Sequence, residues 1–483
     1  MAALDAACAA SPTEAARFSA NLRRMSHDGK LNDFGFCLQH NLCALMRCHL
    51  ATGSSPNARF PQDLNATALH GAAYFGAEDA VRLLLDAGAT LDAVDAEGQT
   101  ALYHAASRGN ARVCSLLLAR GADVKAWDMD GDTALHIAAQ CGHIAAIEVL
   151  VRAGAELDDA ANTYHATPIA LAVKKQQLDA VTKLLELGAS ANICDLLGNT
   201  PLISAVFDDN EPIARTLLPH TDLRIMNCDG FNAFHSSAQH GRLTCFKLLL
   251  PHFIDDVDVR SVQARNVPGY DNPNAGNPHR CTALMFACQQ GHHRIVRELL
   301  ANGASRTVVD SDQFTPLMHS AAHGQLACLI MLLGRPGDYK LSAAEVNARN
   351  ADGGTALHGA DIGGHRACCA VLIAAGADLN ATWKRRTPLG AARINHADDE
   401  ELIALLEGGG GAAGVPPPQL CDGCGIPSSQ APGGKLRACS ACQSAAFCST
   451  ACMAQAWPGH RAECERIKAA KKEKGRVKLV DPT

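Results

Sequence analysis

The chain has 483 residues, 47% of them hydrophobic, and a formal net charge of −6. That length supports two or three domains, or one extended array with a small module, and that apolar content excludes wholesale disorder. Aromatic residues make up only 4%, so a core must be built from Ala, Leu, Val and Ile, and no apolar run approaches the roughly 18 residues of a membrane helix.

Charge is unevenly spread. Residues 415–483 carry ten Lys/Arg against five Asp/Glu, so a mildly acidic body precedes a basic end. The N-terminus, "MAALDAACAASPTEAARFSANLRRM", lacks the apolar core of a secretory signal. Its three arginines among Ala and Ser would suit an organelle transit peptide, which Asp5 and Glu14 oppose. Of the 21 cysteines, fourteen are scattered through helical patterns of a large chain, which points to free thiols in a reducing compartment. The expected location is cytoplasmic, with the nucleus as the alternative.

Residues 1–64 hold two apolar-periodic stretches, "SPTEAARFSANLRRM" and "DFGFCLQHNLCALMRCHL", expected to form an N-terminal helical cap. A period of about 33 residues follows. Its register starts at Thr67, Thr100 and Thr133, and continues at Thr167, Thr200, Asn232, Thr282, Thr315, Thr355 and Thr387. A glycine stands nine positions after the start in seven of the ten units, and another at twenty-one in seven. Thr is a good N-cap, and Pro168, Pro201, Pro316 and Pro388 take the first helical position, where a missing N–H costs nothing. Each unit reads as a short Ala-rich helix, a second helix with a Leu stripe closed by glycine, and a finger-like turn rich in Asp and Gly. One such pair cannot bury its apolar side alone, whereas stacked neighbours can.

These residues resemble the ankyrin repeat, whose T-P-L-H-x-A signature stands here as "TALH" or "TPL" over residues 65–408. The resemblance implies a mainly α fold, an ankyrin-repeat solenoid of about ten repeats that offers a concave face to protein partners. Units four, five and ten lack the first glycine, and Pro219, Pro251 and Pro336 stand near the place of the second in units five, six and eight. The register widens to 50 residues after Asn232 and to 40 after Thr315, and the first widening holds the polar loop "NVPGYDNPNAGNPHR". The histidines of the "TALH" type (His70, His136, His235, His358) recur about one repeat or more apart, too far to share an ion, and are expected to tie the helix–turn frame together. Trp127 and Trp383 fall in finger turns, and Tyr164 and Phe231 occupy comparable segments. All four are candidate partner-binding anchors, with packing against a neighbouring finger as the alternative.

A Gly/Pro linker, "EGGGGAAGVPPPQL", marks a boundary over residues 409–419. Within residues 420–464 come Cys421-x2-Cys424, Cys439-x2-Cys442, Cys448-x3-Cys452 and His460-x3-Cys464. Eight soft ligands in four close pairs match two tetrahedral zinc sites with no position left open. Disulfides would leave an odd cysteine and no use for the histidine.

The order of these pairs, with "FCSTAC" followed by Trp, His and Cys, is similar to the MYND-type zinc finger. The resemblance implies interleaved pairing: Cys421, Cys424, Cys448 and Cys452 on one zinc, Cys439, Cys442, His460 and Cys464 on the other. Spacing alone also permits sequential pairing. MYND fingers bind proteins, several of them proline-rich peptides beside a tryptophan that matches Trp457. The family often has Gln after the sixth ligand, where this chain has Met453. The tail, residues 465–483, holds seven basic residues against three acidic.

Neither a phosphate-binding glycine loop nor a nucleophile elbow is present, and no length remains for a catalytic domain. The expected function is a non-enzymatic adaptor that recruits one protein on the repeats and another on the finger. The alternative is a transcription-linked or nucleic-acid-associated factor acting through the basic end, which the acidic body disfavours.

Overall fold

The structure is a computed structural model that describes residue 50 and residues 55–60, 64–263, 280–334 and 340–408, with two short strands at 437–438 and 446–447. It forms two compact units, Met1–Cys228 and Asp229–Thr483. The first opens with an antiparallel pair, β1 (Arg59–Phe60) on β2 (Ala66–Thr67). Five helix pairs follow: α1 (Ala68–Phe75) with α2 (Glu78–Asp86), α3 (Ala101–Ser107) with α4 (Ala111–Ala119), α5 (Ala134–Cys141) with α6 (Ile144–Arg152), α7 (Pro168–Lys174) with α8 (Leu178–Glu186), and α9 (Pro201–Phe207) with α10 (Glu211–Leu217).

The second unit has α11 (Ala233–Gln239) with α12 (Leu243–Leu249), α13 (Ala283–Gln290) with α14 (His293–Ala301), and α15 (Pro316–Ala322) with α16 (Leu326–Leu333). A single turn, α17 (Ala343–Val346), precedes α18 (Ala356–Ile362) with α19 (Arg366–Ala374) and α20 (Pro388–Asn395) with α21 (Glu400–Gly408). Near the C-terminus β3 (Arg437–Ala438) pairs antiparallel with β4 (Ala446–Phe447).

Every start of the sequence register is the N-cap of a first helix, with extended backbone at Thr67, Thr133 and Asn232 alike. Thr100 shows the direct bond, its hydroxyl accepting from the Tyr103 amide at 3.3 Å. Histidine extends the cap. His70 Nδ1 accepts from the Thr67 amide (3.0 Å) and hydroxyl (2.8 Å), and its Nε2–H donates to the Gln99 carbonyl of the next finger (3.0 Å). His136 repeats this with Thr133 and reaches Asp159 and Ala166. The expected tie between cap and turn is what the structure holds.

Burial holds His70 and His235 neutral. Burial, and secondarily the neighbouring His104, pushes His70 down to about 4 from 6.5, and burial does the same to His235. The unfolded chain titrates near 6.5, so between about 6.5 and 4 it takes protons that the folded chain refuses. Stability is therefore fully present above that window and falls as pH drops through it, by up to about 1.4 kcal/mol per pH unit for each histidine. Urea titrations at a series of pH values are expected to show this slope, and His70→Gln should flatten it.

The glycine nine residues after each start serves a contact as well as a turn. At Gly142 the chain is left-handed, φ +77°, and a Cβ would stand 2.4 Å from Gln177 Oε1 of the next repeat. The residues opening the second helices reach back over this turn: Asn110 Nδ2 donates to the Ala73 carbonyl (2.8 Å), and His143 Nε2–H to that of Ser107 (3.0 Å). Where units four and five lack glycine, Gln176 and Asp209 take the same left-handed conformation, φ +59° and +54°. Gly142→Ala is expected to cost at least about 1–2 kcal/mol, and Gln176→Gly to stabilise by on the order of 0.5 kcal/mol, measured by thermal melting.

The core is aliphatic in the first unit, where Leu69, Leu84, Leu102, Leu117, Leu135, Ile147 and Leu150 are among the fully buried side chains. The second unit adds an aromatic stack, Phe234 between Phe246 (centroids 5.0 Å) and Phe253 (4.5 Å). Pro219 and Pro251 each sit inside a single 3-10 turn, Leu218–His220 and Leu250–His252, that replaces the glycine closure. Pro336, the polar loop before Arg280 and most of the expected N-terminal cap lie outside the described residues.

Candidate protein-interaction surface

Four fingers of the first unit are held from within by an acid or amide five residues before the next N-cap, buried at Asp95, Asp128 and Asn162 and half-buried at Asp195. Asp95 Oδ1 accepts from the Glu97 and Gln99 amides at 2.9 Å, Asp128 Oδ1 from Asp130 (3.0 Å) and Asp132 (2.9 Å), and Asp195 Oδ1 from Leu197 (2.9 Å) and Asn199 (2.8 Å). Asn162 does the same for Ala166 at 2.8 Å. Fingertips then join through the backbone: the amide of Met129 donates to Glu97, that of Thr163 to Asp130, and that of Leu196 to Tyr164, at 2.8–3.0 Å. The Thr163 hydroxyl adds a bond to the Asp130 carbonyl, while the side chains of Trp127, Met129, Tyr164 and Leu196 take no part in these bonds.

The first unit uses that freedom to expose apolar groups. Trp127 is 70% exposed, Met129 79% and Tyr164 56%, and Val94 and Leu196 on the fingers either side are exposed as well. The Lys174 ammonium lies 5.3 Å from the Tyr164 ring centre. The same fingers carry exposed Asp92, Glu97, Asp123, Asp130 and Asp158. Lys125 is neutralised by its ion pair with Glu156. The result is an apolar strip in an acidic field, suited to a ligand with positive charge and apolar side chains.

The four candidate anchors divide. Trp127 and Tyr164 are on this strip. Phe231 is not a surface residue: it is 3% exposed, packed edge-on to Phe286 at 4.7 Å beside Cys281 and Met285. Its finger turns the ring inward, and it is removed from the anchors. Trp383 is half-buried, 6.1 Å from the His358 ring with Lys384 over its face, which is the neighbour-packing alternative. Trp457 and the eight cysteine and histidine ligands lie outside the described residues; in sequence β3 directly precedes the second ligand pair and β4 the third. A donor set of seven thiols and one imidazole is chemically a zinc set.

Two arrangements escaped the sequence reading. The pairs Asp95–His104, partly buried, and Asp310–His319, buried, each at 2.9 Å, were signalled by an acid five residues before and a histidine four after the N-cap. The second is that residues 55–60 already behave as a finger. Asn57 Oδ1 accepts from the Thr90 amide at 2.7 Å, as Asp158 does from Ser190 at 2.8 Å.

Comparison with known proteins agrees with this register. The family described as "Ankyrin repeats (3 copies)" matches residues 36–128, 69–163, 125–195, 169–261 and 267–343, and "MYND finger" matches 421–464. B-cell lymphoma 3 protein homolog of Mus musculus is 34% identical over 242 residues, covering 48% of this chain and 49% of its own. Ankyrin repeat and SOCS box protein 3 of Homo sapiens is 33% identical over 110 residues, 23% of this chain and 20% of its own. The chain thus spans at most about half the length of these curated relatives. A crystal structure of the human ASB11 ankyrin repeat domain aligns at a TM-score of 0.38 and 26% identity, over 42% of this chain and 89% of that one. Both matched modules are protein-interaction modules, and the MYND finger is a zinc-binding one. The chain belongs to the ankyrin-repeat family and carries a C-terminal MYND-type zinc finger.

Proposed function

We propose that the protein is a non-enzymatic adaptor, its repeats and its MYND finger each recruiting a different protein. The observation that carries this reading is the row of exposed apolar fingertips, with Trp127 and Met129 more than two-thirds exposed among acids. Aromatic and methionine side chains at such exposure do nothing for the fold, and they are the groups that anchor interfaces. The partner segment is basic, with apolar side chains spaced to meet successive fingers. Two zinc ions in the finger, interleaved over its four ligand pairs, would hold the second docking site. Among the described residues no cysteine is joined in a disulfide, which supports a cytoplasmic setting.

Affinity capture with the full chain tests the proposal. Trp127→Ala combined with Met129→Ala is expected to weaken the repeat-bound partner at least about tenfold, since a hot spot exceeds roughly 1.4 kcal/mol, and high salt should weaken it further. Chelation should release a separate set of partners. If the double variant retains its partner unchanged, the fingertip strip is not the docking surface. Salt-dependent binding of DNA by the full chain would favour a nucleic-acid role instead, a role suggested only by the basic residues of 465–483.

A further inference from the structure

Asp95–His104 and Asp310–His319 hold the same places in their repeats, the acid five residues before the N-cap threonine and the histidine four after it. In both, the second carboxylate oxygen accepts from two finger amides: Glu97 and Gln99 for Asp95, Asp312 and Phe314 for Asp310. The pair by itself is therefore part of the frame. What differs is the residue just before the N-cap of the preceding repeat, which is Ala66 in the first unit and Cys281 in the second. Cys281 Sγ lies 3.9 Å from Asp310 Oδ2, and the donor atoms of Cys281, Asp310 and His319 are all within 4.8 Å of one another. None of the three residues is more than 5% exposed.

We propose that Cys281, Asp310 and His319 form a buried site for a divalent metal ion, with zinc the best fit. A thiolate, an imidazole and a carboxylate are the donors zinc takes, and three protein ligands leave one coordination position for water. Zinc bonds of about 2.0–2.3 Å place tetrahedral donors roughly 3.3–3.8 Å apart. The histidine nitrogen and carboxylate oxygen stand at 2.9 Å, the sulfur and oxygen at 3.9 Å, and no two donors are more than 4.8 Å apart, so side-chain shifts of about 1 Å or less bring all three into range.

Charge also balances. Two anionic ligands neutralise a divalent ion, so the complex enters the apolar surroundings of Phe231, Met285 and Phe286 without net charge. The flanking charges, Arg260 and Asp312, are of opposite sign. On binding, the thiol proton leaves to solvent, the imidazole ligates through Nε2 as the neutral ring with its one proton on Nδ1, and three metal–ligand bonds replace the hydrogen bonds. The ion would join the residue before α13 to the finger after α14 and to α15. It closes the repeat that follows the first widening of the register.

The test compares zinc content per chain of the full-length wild type and of Cys281→Ala at one buffered free-zinc concentration. Alanine is the residue that stands at position 66, so the variant is expected to keep its helical circular dichroism. The variant should hold one zinc fewer than the wild type, and His319→Gln likewise. The difference spectrum of the cobalt-loaded wild type minus Cys281→Ala should show tetrahedral bands and one thiolate-to-cobalt charge-transfer band. Zinc bound by the MYND finger cancels in both differences. Equal zinc content in folded wild type and Cys281→Ala would overturn the proposal. So would a difference spectrum lacking the thiolate band.

Discussion

Chelating zinc from the full chain is expected to unfold residues 421–464 and to leave the helical signal of the repeats nearly intact. Between the ligands that segment offers only Ile426, Leu436, Phe447, Met453 and Trp457 as sizeable apolar groups. Ordering some forty residues costs about 1–2 kcal/mol each for the backbone alone, far more than so small a core returns. Structural zinc supplies on the order of 10–16 kcal/mol in small fingers, so the metal decides whether the module folds. The repeats stand on burial between neighbours, with Leu84, Leu117 and Leu150 among the fully buried side chains. Metal analysis of Cys281→Ala should return two zinc ions, the number that eight ligands in tetrahedral sites require. Collapse of the helical signal in step with zinc loss would refute the separation of the two modules.

Truncating Phe234 to alanine should be the most damaging single change in the repeats. The ring is fully buried and stacked between Phe246 and Phe253, nearly parallel to the second at 9°. Removing a buried phenylalanine costs about 3–5 kcal/mol, because the transfer energy is lost and the cavity closes only in part. Here collapse is hindered, since two rings lose the face they share. The urea midpoint of the second unit should drop by an amount matching that range, and Phe234→Leu should recover part of it. A loss below about 1 kcal/mol would mean that the site refills, and the stack would not be the centre of the unit.

The repeat register was fully legible because its signals are local. Thr and Asn caps, first-position prolines and turn glycines each act within a few residues, and all ten starts became N-caps, from Thr67 to Thr387. What joins one repeat to the next was not. The bond from His143 to the Ser107 carbonyl crosses a whole repeat, and nothing local in the sequence distinguishes that histidine from a solvated one. Phe231 shows the same limit for the candidate surface. Its segment reads like the one that carries Trp127, yet one ring points to solvent and the other into a cluster with Phe286. Which way a finger side chain turns depends on the volume left by Cys281 and Met285, residues some fifty positions away.

The bonds that shape the fingertips of the first unit come from an acid or amide beneath the tip and from backbone, and none from the side chains at 94, 127, 129, 164 or 196. Evolution can therefore exchange those five residues without renegotiating the fold. A new partner can be acquired by point mutation at a tip, while the frame beneath stays under a different and stricter selection. Recognition and foldability are inherited here as separate traits, written on alternate residues of the same short turn.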